Sequence, residues 1–131
     1  MQRVVDGDTF VAQRDGRSVR VRLIGVDAPE SVTPDRPVEC GGPEAAAALR
    51  RLLPPTTWVS AAYEPGGRLD PHGRELWDVW LADGPFLQAE LVRAGLVEAR
   101  AYPPHVRYAD LLDELEREAR LAGRGLHGRC R

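Results

Sequence analysis

Thr9–Val26, TFVAQRDGRSVRVRLIGV, is the stretch on which the reading of the fold turns. "TFVAQ" and "SVRVRLIGV" read as two β-strands, and "RDGR" lies between them. Asp15-Gly16 supplies the positive φ angles that a tight hairpin turn requires. Upstream, Arg3–Gln13 (RVVDGDTFVAQ) also reads as a strand, with Asp6 and Asp8 on either side of Gly7. Residues two apart on a strand share a face. These two carboxylates therefore repel each other unless something compensates them.

Downstream comes a loop rich in Pro and Asp, DAPESVTPDRPVECGG, and then a helix from Pro43 to Leu53. Pro43 suits a first helical position, Ala45, Leu49, Leu52 and Leu53 share a face, and Pro54-Pro55 ends the helix. Two more strands are expected in TWVSAAYE and ELWDVWLAD, joined by PGGRLDPHGR. A short helix around Phe86–Ala94 ends at Gly95, a C-cap residue. The last helix is expected from about His105 to Ala122, with Leu111, Leu112, Leu115, Ala119 and Ala122 on one stripe, closed by Gly123 and Gly125. In 131 residues this pattern indicates one α+β domain over 1–131, with a small barrel as its sheet.

The formal net charge is -2, which argues against a broad basic surface for nucleic acid but not against a small local site. All 18 basic residues are arginine, so any side-chain contact to an anion is made by a planar, bidentate guanidinium. Nothing in the chain resembles a transmembrane span. Because it opens almost directly into a strand, an export signal trimmed from a longer precursor is the expectation. Cys40 and Cys130 fit no short-spaced zinc pattern. They read either as two unrelated thiols or, as expected here, as a disulfide tying the C-terminus to the loop before the first helix, which implies an oxidising compartment.

Carboxylates and arginines collect in three places: Asp6 and Asp8; Arg22, Asp27 and Glu30 in VRLIGVDAPE; and Asp70 and Arg74 in LDPHGR. Taken singly, each reads as a solvated charge at a strand end or loop. Together, Asp8, Asp27 and Glu30 offer the oxygen ligands that a hard divalent cation takes, with no neighbouring His or Cys to suggest zinc. Arg22 and Asp27 are five residues apart and would face opposite ways on a straight strand. Both reach one site only if the chain bends, and Gly25 sits where it can.

The string DGDT at 6–9, Arg22 and VDAPE at 26–30 resemble the signature of the staphylococcal nuclease (thermonuclease) family. DPHGREL at 70–76, followed by Val79 and Trp80, resembles the family's second motif, and LVRAGLVEA at 91–99 extends the likeness over nearly the whole chain. The resemblance implies an OB-fold-type five-stranded β-barrel with three α-helices. It also implies a monomeric, secreted or periplasmic Ca²⁺-dependent endonuclease that acts on DNA and RNA and leaves a 3′-phosphate and a 5′-hydroxyl. Carried over by position, Asp8, Asp27 and the backbone carbonyl of Ala28 ligate the metal, with Asp6 behind them. Glu30 handles the attacking water, and Arg22 and Arg74 clamp the scissile phosphate.

The sequence departs from the family pattern at Pro71, usually Lys, and His72, usually Tyr, where bound nucleotides are contacted. Ala28 stands for a frequent Thr, which a backbone ligand tolerates. Phe10 and Trp77 are bulkier than usual. His72 reads as a substrate contact or as an exposed loop histidine, and Tyr102 as a substrate contact or as packing. His105 and His127 read as structural or solvated. The rival to a nuclease is a catalytically inactive binding module for nucleic acid or nucleotides. Retention of Asp8, Arg22, Asp27, Glu30 and Arg74 together favours the enzyme.

Overall fold

The computed structural model describes residues 1, 3–31 and 37–130, so part of the Pro/Asp-rich loop (32–36) lies outside the described residues. Strand β1 (Arg3–Asp6) is followed by β2 (Thr9–Arg14) and β3 (Arg17–Leu23). As expected, β2 and β3 form a hairpin, paired from Arg14↔Arg17 to Thr9↔Arg22. Its turn residues Asp15 and Gly16 have φ of 52° and 79°.

The N-terminal run corrects the expectation of a single strand. Gly7 and Asp8 form a turn, and β1 folds back antiparallel on β2, with Val4 opposite Phe10 and Asp6 opposite Thr9. Asp6 and Asp8 therefore do not share a strand face. Packing decides this: a Cβ on Gly7 would stand 2.7 Å from that of Ala45 and 2.9 Å from that of Ala28. Only glycine lets the turn settle against the helix α1 (Gly42–Leu52).

Past Gly25, at φ 81°, the chain continues as β4 (Val26–Asp27). Strands β5 (Val59–Ala62) and β6 (Glu75–Leu81) pair antiparallel, and β6 runs parallel to β3, giving the order β1-β2-β3-β6-β5. A separate two-stranded ladder joins β4 to β7 (Glu98–Ala99). The expected barrel is not closed among the described residues. Where its seam would run, Thr56 N–H donates to the Met1 carbonyl at 3.2 Å, and an open groove of about 1090 Å³ separates the β2 end from β5.

The helix α2 (Leu87–Arg93) ends at Gly95, φ 74°. The next, α3 (Ala109–Ala122), starts later than the sequence suggested. His105 is held outside it, its N–H on the Tyr102 carbonyl at 3.0 Å and its ring Nε2 2.7 Å from the Gly67 carbonyl. The buried stripe is also narrower, comprising Leu112, Leu115 and Ala119, while Leu111 is 47% exposed. A fourth helix, α4 (Leu126–Arg129), was not anticipated. Cys130, just after it, is bonded to Cys40, with Cα atoms 5.8 Å apart. Among the described residues, no helix is long and apolar enough to cross a membrane.

The core joins Phe10, Val21, Leu23, Trp77 and Val79 of the sheet to Leu49, Leu91 and Leu112 of the helices. The bulky Phe10 and Trp77 meet edge to face at 6.3 Å, a favourable geometry for aromatic quadrupoles. Fully buried Gln88 is satisfied by the Val79 N–H and by the carbonyls of Ile24 and Trp77. It thereby fixes the bend before Gly25 to β6.

Asp78 and Glu64 form a second buried polar feature, 1% and 5% exposed. Burial, and then the facing Glu64 carboxyl, push Asp78 up to about 8 against the opposing pull of Arg107. An unfolded aspartate releases its proton near ~4. Folding therefore takes up a proton between these values, and stability falls as pH rises from about 4 to about 8. Asp78→Asn keeps a donor toward Glu64 and removes that slope. Its melting temperature relative to the parent should climb by several degrees over that range; a difference flat with pH would refute the shared proton.

Candidate active site

The turn at Gly7 and Asp8 delivers the first carboxylate. Asp8 is 6% exposed. Its Oδ1 accepts from the Thr9 hydroxyl at 2.8 Å and its Oδ2 from the Ala28 N–H at 2.8 Å. The bend at Gly25 delivers the second. Arg22 Nη1 donates to the carbonyls of Leu23 and Val26, each at 2.8 Å, so the guanidinium is braced across the bend. Its Nη2 lies 3.3 Å from Asp8 and 3.4 Å from Asp27. The two faces that a straight strand would separate thus meet at one nitrogen. Asp6 instead accepts from its own turn, at the Gly7 N–H, at 3.0 Å.

Arg100 completes this group and was missed by sequence reasoning. The β4–β7 ladder sets Asp27 opposite Glu98, and Arg100 Nε comes within 3.8 Å of Asp27 Oδ2. No spacing rule links positions so far apart; only strand pairing does. Burial raises the Asp27 carboxyl above its ordinary value despite Arg22, and the charge of Asp8 adds to the rise.

The loop before β6 builds the other half. Asp70 Oδ1 accepts from the N–H groups of His72 and Arg74, both at 2.9 Å, and Oδ2 from Arg74 Nε at 2.6 Å. Burial works to raise Asp70, but these donors outweigh it and hold the carboxyl below its usual value. One edge of the Arg74 guanidinium is fixed in this way. Its Nη1 extends to within 3.5 Å of Thr9 Oγ1, the hydroxyl that donates to Asp8. The parallel β3–β6 register, Arg22 opposite Leu76, is what sets the two arginines side by side. They share an open cavity of about 480 Å³ with His72, Tyr102 and His105.

Glu30 is positioned through its backbone. Its N–H donates to Glu39 Oε1 and its carbonyl accepts from the Glu39 N–H, both at 2.9 Å. A Cβ on Gly42 would fall 1.9 Å from that carbonyl, so glycine is obligatory at the start of α1. The structure therefore brings Asp8, Arg22 and Asp27 into direct contact, links Arg74 to them through the Thr9 hydroxyl, and ties the Glu30 backbone to Glu39. His72 and Tyr102 line the cavity.

The donor set suits a hard cation. It consists of carboxylates without imidazole or thiolate, and Asp27, raised by burial and by Asp8, is the imbalance that such an ion relieves. Among the described residues there is no cluster of three or more His, Cys, Asp or Glu that could hold a metal ion.

The family model for staphylococcal nuclease homologues matches residues 20–128. The chain is similar to the thermonuclease of Staphylococcus intermedius, 40% identical over 119 residues that cover 91% of this chain and 69% of that protein. It is also similar to the thermonuclease of Staphylococcus hyicus, 36% identical over 117 residues, 89% of this chain and 68% of that protein. Endonuclease YncB of Bacillus subtilis is 31% identical over 121 residues, 92% of this chain and 56% of that protein.

Proposed function

Because the chain belongs to the staphylococcal nuclease family, we propose that it acts as a calcium-dependent endonuclease, a single domain over 1–131. It hydrolyses phosphodiester bonds of DNA and RNA and leaves 3′-phosphate ends. The observation that carries this reading is the convergence of Arg22 and Arg74 beside the carboxylates of Asp8 and Asp27. A phosphodiester is an anion that repels an attacking hydroxide and gains charge during attack. Two guanidiniums fixed in advance by backbone carbonyls and by Asp70 offset that charge where it develops, without reorganisation.

In this reading Asp8, Asp27 and the carbonyl of Ala28 hold the calcium ion, with Asp6 supporting from behind. When bound, the ion supplies further positive charge to the phosphate oxygens. Glu30 orients the attacking water and receives its proton. The bond from water oxygen to phosphorus forms as the P–O5′ bond breaks. The 5′ oxygen leaves as an alkoxide that takes a proton from solvent water to become the 5′-hydroxyl, while Glu30 returns its proton to solvent. Arginine keeps its proton at any working pH, so Arg74 acts through charge rather than as an acid. His72 and Tyr102 meet the sugar and base. The Cys40–Cys130 bond supports export to an oxidising compartment.

Single-stranded DNA should be cut in millimolar Ca²⁺ and fully protected by chelator, read on a gel. Binding that persists in chelator, with no cutting across neutral to alkaline pH, would replace this reading by the inactive binding module.

A further inference from the structure

The face of the sheet that carries the two phosphate-facing arginines continues beyond them. Cross-strand partners stand on the same face of a sheet, and Thr9, which Arg74 approaches, is the partner of Arg22. The next residues on that face are Val11 and its partner Arg20, and then Arg3, which pairs with Val11 from β1. Gln13 and its partner Ser18 extend the row. The carboxylate beside it is Asp6 of β1, which lies opposite Thr9 at the clamp end and accepts from the Gly7 N–H. No carboxylate pairs with Val11 or Arg20. Arg3 and Arg20 are exposed and hold no ion pair or side-chain hydrogen bond within the described residues. That sets them apart from Arg14, Arg22, Arg74, Arg93, Arg117 and Arg120, each tied to a carboxylate. Two unneutralised guanidiniums lined up with the clamp form a local anion track on a chain whose net charge is -2.

We propose that Arg20, followed by Arg3, is a positioning residue for the strand being cut. It binds the phosphate next to the scissile one, so that the flanking single strand runs out of the cleft over the outer face of β1, β2 and β3. This rests on the nuclease reading above. Arg20 precedes Arg22 by two residues, roughly 6.6 Å along a strand, comparable to one nucleotide step of an extended chain. A guanidinium there contributes charge and a bidentate grip without reading the base.

The test compares a single-stranded oligonucleotide with a chromogenic mononucleotide diester, which has one phosphodiester and no flanking phosphate. For Arg20→Ala the ratio of kcat/KM between the two substrates should fall about tenfold, the loss typical of one charged hydrogen bond. Arg20→Lys should restore part of it. Oligonucleotide affinity measured by anisotropy in chelator should lose about 0.7 of log–log salt slope, one phosphate contact on a single strand. Arg51→Ala, on the exposed side of α1, serves as the control and should change neither. A parent-like ratio and salt slope in Arg20→Ala would overturn the track even if the parent cuts DNA normally. A parent that binds but does not cut would remove the nuclease reading, and the salt slope would then decide the track by itself.

Discussion

Arg74→Ala is expected to lower turnover about 10²–10³-fold, the usual loss for one donor aimed at developing charge, while the folded state survives. The structure explains why the two effects separate. Arg74 contributes Nε to Asp70, but Asp70 also accepts two backbone N–H groups that remain in the variant, so the 70–74 turn keeps its shape. The loss should appear in kcat far more than in KM, because the contact strengthens as the phosphate gains charge. Arg74→Lys should fall between parent and alanine, since an ammonium cannot hold Asp70 and the phosphate through one planar fork. Glu30→Gln should match the alanine loss, as its amide cannot receive the proton of water. Turnover near the parent value in both Arg74→Ala and Glu30→Gln, measured on single-stranded DNA with calcium, would end this assignment. Arg22→Ala is a poorer test. It strips a partner from Asp8, Asp27 and two carbonyls at once, so a lost fold would imitate lost chemistry.

The second large effect is on stability. The Cys40–Cys130 bond spans a separation of 90 residues, and closing a loop of that length lowers the entropy of the unfolded chain by an amount worth about 4 kcal/mol in the chain-entropy model. Reduction, or the Cys40→Ala/Cys130→Ala pair, should therefore shift the urea midpoint down strongly, with a steeper slope because the freed unfolded chain exposes more surface. Superimposable oxidised and reduced unfolding curves would contradict it. The bond also lies close to the site. Gly41 sits with Cys130 Sγ, Leu126 and the Pro29 ring around it, and Gly42 abuts the Glu30 carbonyl. Losing the cross-link loosens the segment that holds Glu30, so the reduced enzyme should inactivate at lower temperature than its active-site geometry alone would suggest.

Much of this was legible because local chemistry determines it. Asp15-Gly16 reports a hairpin wherever it lies between two strand-forming runs, since the positive φ angles leave little choice. Gly25 marked the bend, because Arg22 and Asp27 meet only if the chain turns between them. The ends of α2 and α3 at Gly95 and Gly123 follow from the same left-handed preference. What stayed hidden depends on groups distant in the chain. The turn at Gly7 and Asp8 looked like uninterrupted strand, since nothing nearby reveals that Ala45 of α1 will press on Gly7. His105 was drawn out of the last helix by the Gly67 carbonyl, a partner no helical periodicity encodes.

The candidate site divides in the same way. The chemical types are carried by the residues themselves: oxygen donors at Asp8 and Asp27, guanidiniums at Arg22 and Arg74, and a cysteine pair suited to an oxidising medium. Residue identity carries charge, donor count and ligand hardness wherever the residue ends up. Their neighbours are set by contacts between remote segments. The parallel β3–β6 register brings Arg74 to Thr9, the β4–β7 ladder brings Arg100 to Asp27, and the turn at Gly7 gives Asp6 and Asp8 separate surroundings. Those relations are distances between remote segments, fixed by core packing and strand pairing rather than by any short-range rule.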